Sequence, residues 1–205
     1  MRARLYLVLE AEAAERVVPA AIAGGVDMVQ LRDRSLSDDE LVAHARVLAS
    51  VCREASVPFL VNDRPDLAVA GGADGVHVGQ DDLPVAQARA IVGADRLVGL
   101  STHAPAELDA GLRSGADYLS VGPVWETPTK EGRPATGLEY VSYAAQHAGD
   151  MPWFAIGGID SGRVHEVAGA GAQRVVVVRA IRDAGDPELA ASEISAGLPA
   201  GAARA

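Results

Sequence analysis

At 205 residues, 49% of them hydrophobic, the chain can bury one substantial core, and a single domain over 1–198 with a flexible tail at 199–205 is expected. Eighteen Lys and Arg against 28 Asp and Glu leave a formal charge of −10, which argues against nucleic acid or an anionic membrane as partner. The first ten residues already carry charge and no long apolar run follows them, so secretion and membrane spanning are not expected and a cytoplasmic location is. The lone cysteine, Cys52, rules out an internal disulfide framework and falls in a predicted helix as an inert thiol.

Strand candidates occur at residues 4–9, 26–31, 57–62, 75–79, 97–101, 118–122, 153–157 and 174–178, separated by helical patterns. Pro19 lies inside the first helical pattern and implies a late start or a bend there. Ser37 with Glu40 has the spacing of a capping box at the start of the second helix. Arg64-Pro65 and Leu83-Pro84 follow Asp63 and Asp82, which gives both acids a helix-capping reading. Between the sixth and seventh strands lies the longest irregular connection, residues 123–137, a size often used for a lid. Ser161 is placed to cap the helix after the glycine pair, and Asp186-Pro187 supplies a cap and an N1 proline for the last helix. Three junctions look alike: AGGADGVHVG from Ala70, SGADYLSVG from Ser114 and AGAQRVVVV from Ala170, each closing a helix on glycine shortly before a strand.

Alternation of eight strands with helices admits a doubly wound sheet or a closed (β/α)₈ barrel. A doubly wound sheet gathers its site at one switch point. Here polar residues follow strands two to seven, which favours a compact α/β TIM barrel whose loops are short, the chain falling below the roughly 250 residues typical of that fold.

The polar strand ends carry the candidate chemistry. Arg32 and Arg34 suit paired phosphate oxygens, with a solvated turn as the plain alternative. Gln30 stands within an apolar run, where a buried amide needs a partner that a ligand could provide. Asn62-Asp63 and Asp81-Asp82 bring hard oxygen donors to neighbouring strand ends, a set suited to Mg²⁺, which reaches protein through one or two carboxylates plus substrate phosphates. Thr127, Thr129 and Lys130 offer two hydroxyls and an ammonium on the long connection, without the glycine-rich lead of a Walker motif. Gly157 and Gly158 provide a second anion corner after the seventh strand, or simply a turn. His77 reads as a structural histidine within its strand, whereas His103 is an acid–base candidate. Nothing arranges a Ser/His/carboxylate nucleophile.

In order and spacing, QLRDR at Gln30, PFLVNDR at Pro58, DGVHVGQDDLP at Asp74, GLSTH at Gly99, GADYLSVGPVWETPTK at Gly115, AIGGI at Ala155 and VVVVRAI at Val175 resemble the thiamine-phosphate synthase family over about residues 5–184. The resemblance implies a barrel enzyme that joins hydroxymethylpyrimidine diphosphate to thiazole phosphate, giving thiamine phosphate and pyrophosphate, with Mg²⁺ as cofactor, and it admits a homodimer. It also implies site roles. Gln30, Arg32, Arg34 and Asn62 would meet the pyrimidine diphosphate, Asp63 and Asp82 would hold the metal, and Ser101 and Lys130 would complete the surroundings of that donor, with Arg32, Ser101 and Lys130 catalytic. Thr127, Thr129, Gly158, Val178 and Arg179 would meet the thiazole phosphate. The chain departs from the family pattern at Arg34, where lysine is common, at Glu126, where proline is common, and at Arg179, where serine is common. A related thiazole tautomerase, a sugar-phosphate isomerase or epimerase, and a noncatalytic phosphate-binding regulator are the alternatives.

Overall fold

The computed structural model describes residues 1–127 and 134–199. Eight parallel strands close in sequence order: β1 (Leu5–Leu9), β2 (Met28–Leu31), β3 (Phe59–Asn62), β4 (Gly75–Val78), β5 (Leu97–Thr102), β6 (Tyr118–Val121), β7 (Trp153–Ile156) and β8 (Val175–Val177), with β8 pairing back onto β1. Around them run α1 (Ala11–Ala23), α2 (Asp38–Glu54), α3 (Pro65–Ala70), α4 (Val85–Val92), α5 (Pro105–Gly111), α6 (Gly137–His147), α7 (Val164–Gly169), α8 (Arg179–Arg182) and α9 (Pro187–Ala196). Closure removes both sheet edges, so every strand is paired on two sides. All eight strand candidates are present, each within two residues of its expected ends.

The two-residue period of the strands divides the core into two layers. On β1, Leu5, Leu7 and Leu9 face the helices, while Tyr6 and Val8 face the barrel interior. The same alternation sends Val29, Leu31, Phe59, Val61, Val76 and Val78 outward and Met28 and Leu60 inward. Inside, Tyr6, Tyr118 and Phe154 meet edge to face with centroids 5.4–6.0 Å apart and plug the barrel. The inward positions one step further along the strands are polar: Gln30, His77, Ser101 and Ser120. That step from apolar to polar sets the floor of the site.

Local signals account for several helix ends. Ser37 and Glu40 form the full capping box, and Asp186 Oδ1 accepts from Leu189 N at 3.0 Å ahead of Pro187. Helix α1 begins at Ala11 with Pro19 within it, so the late start expected from the proline does not occur. Ser161 is not a cap. Helix α7 starts at Val164, and Asp160 Oδ1 accepts from Arg163 N at 3.0 Å, leaving Ser161 and Gly162 in the turn between. Cys52 is buried on α2, and burial, with Asp74 nearby, pushes its thiol up to about 12, which keeps the nucleophilic thiolate out of reach. Among the described residues no helix is long and apolar enough to cross a membrane.

At the N-terminal end of the barrel, acids before alternate strands hold the sheet. Asp27 accepts from Arg4 N and Leu5 N at 2.8 Å, Asp74 from Phe59 N at 2.9 Å, and Asp117 from Val98 N at 2.7 Å. The repeated GGAD and SGAD junctions are therefore strand staples, satisfying N–H groups that the ladder leaves over at this end.

Candidate active site

At the opposite end, where the strands finish, a cavity of about 360 Å³ opens among the βα loops. This is the face on which barrels of this kind build their sites. Gln30, Arg32, Asn62, Ser101, Thr127, Gly158, Val178 and Arg179 all line it, so the structure brings these eight expected residues together. Thr129 and Lys130 lie outside the described residues.

Arg34, Asp63 and Asp82 lie beside the cavity, off its walls, in one charged cluster with Arg32. Arg34 Nη2 reaches Asp63 Oδ2 at 3.2 Å, with the arginine largely exposed and the acid mostly covered. Asp82 Oδ2 accepts from Gly79 N at 2.8 Å, which folds the β4–α4 loop back over its strand end. Gln80 of the same loop donates from Nε2 to Ser101 O at 2.7 Å, tying β4 to β5.

The capping reading of the two acids does not hold. Arg64 is the N-cap of α3 and Pro84 that of α4, and neither helix receives a side-chain cap bond. Instead Asp63 takes the left-handed conformation, φ 60°, an uncommon one for any residue but glycine. Asp63 N donates to His77 O at 2.8 Å, continuing the β3–β4 ladder, and the chain turns sharply just beyond it. This turn brings the carboxylate beside Asp82.

The electrostatics follow from that placement. Burial raises the Asp63 pKa, and the neighbouring Asp82 raises it further by hydrogen bonding and by charge, against the opposing pull of Arg34. Two carboxylates held together in a half-buried position favour a proton or a cation between them. Arg32 is half-buried, and burial lowers its pKa, as does Arg34, while Asp63, Glu10 and Asp82 act in the other direction. An arginine stays charged under such shifts. Its mixed surroundings make it a cation set among acids at the wall of the cavity.

Mg²⁺ fits the donors present. Asp63 and Asp82 offer hard carboxylate oxygens, and among the described residues no group of three or more His, Cys, Asp and Glu could hold a metal by itself. Two carboxylates completed by phosphate oxygens and water is the coordination this ion commonly takes.

The far side of the cavity is built on glycine. Gly157 and Gly158 have φ of 108° and 69°, and a Cβ there would come within 2.6 Å of Pro123 Cα and 2.9 Å of Trp125 Cβ, respectively. The pair therefore serves the turn and also admits the segment that carries Thr127. Arg163, which sequence reasoning missed, stacks its guanidinium 5.0 Å above the Trp125 ring and donates to Gly158 O at 3.1 Å. Glu10 was missed as well. Glu10 directly follows β1, so the strand-end rule that singled out the other polar residues could have found it, whereas Arg163 lies seven residues past β7 and only the folded geometry reveals it.

Gln30 has its partner inside the protein: its Nε2 donates to Tyr6 Oη. His77 is buried and bonded through both ring nitrogens, to Tyr118 Oη and to Ser101 Oγ, each at 2.9 Å, as befits a structural histidine, though it also lines the cavity. The acid–base candidate His103 lines the cavity too, with Nδ1 directed at Gly122 O.

A sequence model described as thiamine monophosphate synthase matches residues 5–181, almost the whole barrel. The chain belongs to the thiamine-phosphate synthase family. Thiamine-phosphate synthase of Acidothermus cellulolyticus is 51% identical over 205 residues, covering 98% of this chain and 97% of the relative. The Thermus thermophilus thiamine-phosphate synthase is 52% identical over 197 residues, covering 93% and 95%. Among solved structures, the thiamine phosphate pyrophosphorylase of Pyrococcus furiosus superposes with a TM-score of 0.88 at 29% identity, covering 96% of this chain and 95% of that one. The function is thiamine-phosphate synthesis, and these family relatives favour it over the tautomerase and regulator alternatives.

Proposed function

We propose that the charged side of the cavity binds hydroxymethylpyrimidine diphosphate with Mg²⁺ and that the glycine side binds thiazole phosphate. The observation that carries this reading is the cluster of Arg32, Arg34, Asp63 and Asp82, two cations and two abutting acids at the edge of the cavity. Asp63 and Asp82 would hold the metal. When bound, Mg²⁺ neutralises charge on the diphosphate and makes it a better leaving group.

The rest is done by the chain's own residues. Arg32 and Arg34 present paired donors to the diphosphate oxygens, while Gln30 and Asn62 orient the pyrimidine. Heterolysis of the bond between the pyrimidine methylene carbon and the diphosphate oxygen sends the electron pair to the departing pyrophosphate. The aminopyrimidine ring delocalises the resulting cation. Ser101 donates to the pyrophosphate, and Lys130 is assigned to the same group on the family resemblance. Thr127, Thr129, Gly158, Val178 and Arg179 hold the thiazole phosphate so that the ring nitrogen lone pair forms the new C–N bond. This is catalysis by orientation and preorganised charge, with no protein nucleophile.

Incubating the purified protein with both substrates, with Mg²⁺ or with EDTA, tests the reading. Thiamine phosphate and pyrophosphate are expected in equal amounts and only with Mg²⁺. Metal-independent turnover would remove Mg²⁺ from the reading. Proton exchange on a thiazole precursor without pyrophosphate release would favour the tautomerase.

A further inference from the structure

Three arginines line the cavity: Arg32 after β2, Arg163 after β7 and Arg179 after β8. Among the described residues none of the three forms an ion pair, whereas Arg34, Arg64, Arg89 and Arg182 each pair with a carboxylate. In a chain whose formal charge is −10, guanidinium groups left without carboxylates around one opening make it a place for an anion. Arg32 and Arg179 already have roles in the proposed reaction. Arg163 has none.

The seat of Arg163 is built from three directions. Asp160 Oδ1 accepts from Arg163 N at 3.0 Å, which fixes the turn that the side chain leaves. The guanidinium lies 5.0 Å above the Trp125 ring, and its Nη1 donates to Gly158 O at 3.1 Å. Glycine at 158 is what admits both neighbours, since a Cβ there would come within 2.9 Å of Trp125 Cβ and 3.4 Å of Arg163 Nη1. The ring takes a face of the guanidinium and the carbonyl takes one N–H, which leaves the rest of the fork to a ligand. Glu126 and Asp160 line the same cavity, yet neither forms an ion pair with Arg163 among the described residues.

We propose that Arg163 is a specificity-determining residue that takes the phosphate of the thiazole substrate beside Gly158, so that the phosphorylated thiazole is selected over its alcohol. The inference rests on the assignment of the glycine side of the cavity to thiazole phosphate. A phosphate monoester carries a charge of roughly −1.5 to −2 at neutral pH, which two guanidinium groups, Arg163 and Arg179, balance where one does not. The fork of an arginine matches paired phosphate oxygens, and a guanidinium already fixed by a ring and a carbonyl gives up little further freedom when it binds them. The same group bridges the glycine turn to the segment that carries Thr127, so the anion it draws in arrives between the two.

The test measures KM for thiazole phosphate, and the inhibition constant of the unphosphorylated thiazole alcohol competing with it, in wild type, Arg163→Gln and Arg163→Lys. Arg163→Gln keeps an N–H for Gly158 O and a flat group over Trp125 but removes the charge. Its KM for thiazole phosphate is expected to rise roughly tenfold while the inhibition constant of the alcohol stays within about twofold. Arg163→Lys keeps the charge without the fork, and a smaller rise of about threefold is expected. If Arg163→Gln fails to fold, as judged by thermal unfolding, Arg163→Lys decides on the same comparison. A residue that only props Trp125 against Gly158 would weaken phosphate and alcohol alike, so equal losses overturn the proposal, as does a KM for thiazole phosphate that stays at the wild-type value. Should wild type bind the alcohol as tightly as the phosphate, the assignment of the glycine side falls and the inference with it. A preference for the phosphate that wild type shows and the variants keep sinks the role of Arg163 alone.

Discussion

The two ends of the barrel use the same side chain, aspartate, to opposite effect. At the N-terminal end Asp27, Asp74 and Asp117 accept backbone N–H groups from β1, β3 and β5, and their charge is spent on holding strands. At the C-terminal end Asp63 and Asp82 lie beside each other. Burial raises the pKa of Asp27 and of Asp63 alike, yet backbone donors pull Asp27 back, whereas a second carboxylate pushes Asp63 further. The stable end satisfies its acids internally. The site end leaves two of them strained against each other, in a backbone turn that is itself uncommon, ready for a cation from outside.

That contrast can be broken from either side. The largest effect is expected at the site end, where Asp82→Asn keeps an oxygen acceptor for Gly79 N but removes the charge. Thiamine phosphate formation should drop by roughly 100-fold or more at unchanged fold, the order of loss seen when a key electrostatic group is removed. Near-normal turnover and Mg²⁺ dependence would count against the metal role. At the other end, Asp117→Ala leaves the Val98 N–H without its acceptor and is expected to cost about 2 kcal/mol, a fall in Tm of about 4–8 °C in a chain of this size. The folded fraction should keep its kcat, as calorimetry beside kinetics would reveal. Ser37→Ala, which removes the α2 capping box well away from the cavity, should cost about 1 kcal/mol in urea unfolding and leave KM untouched.

The smallest effect is a tilt in the pH dependence of stability. Because Asp63 has a folded pKa above its unfolded one, the folded state holds the proton more tightly. Its stability contribution is present below the unfolded value and is lost as pH rises through the folded value. Asp63→Asn should flatten that slope in Tm measured across the mildly acidic range and weaken metal-dependent turnover together. A slope that survives the substitution would place its origin elsewhere.

Local signals in the sequence were read correctly where their range is short. All eight strands stand within two residues of where the apolar runs put them, and the capping residues Ser37 and Asp186 did what their spacing implied. The same kind of rule failed at Ser161, where Asp160 took the N–H of Arg163, and at Asp63 and Asp82, where tertiary charge contacts replaced capping. Gln30 was legible as an amide needing a partner, but its partner Tyr6 lies 24 residues away on another strand.

By itself, then, the sequence determined the barrel, its apolar and polar layers and the family, since alternation, caps and ordered motifs are properties of neighbouring residues. Only the closed structure decided that Asp63 bends back to meet Asp82, that Glu10 acts on Arg32, and that Gly99 lets His77 reach Tyr118, 41 residues away. Such meetings depend on the register and closure of eight strands, which bring together side chains that no local spacing relates.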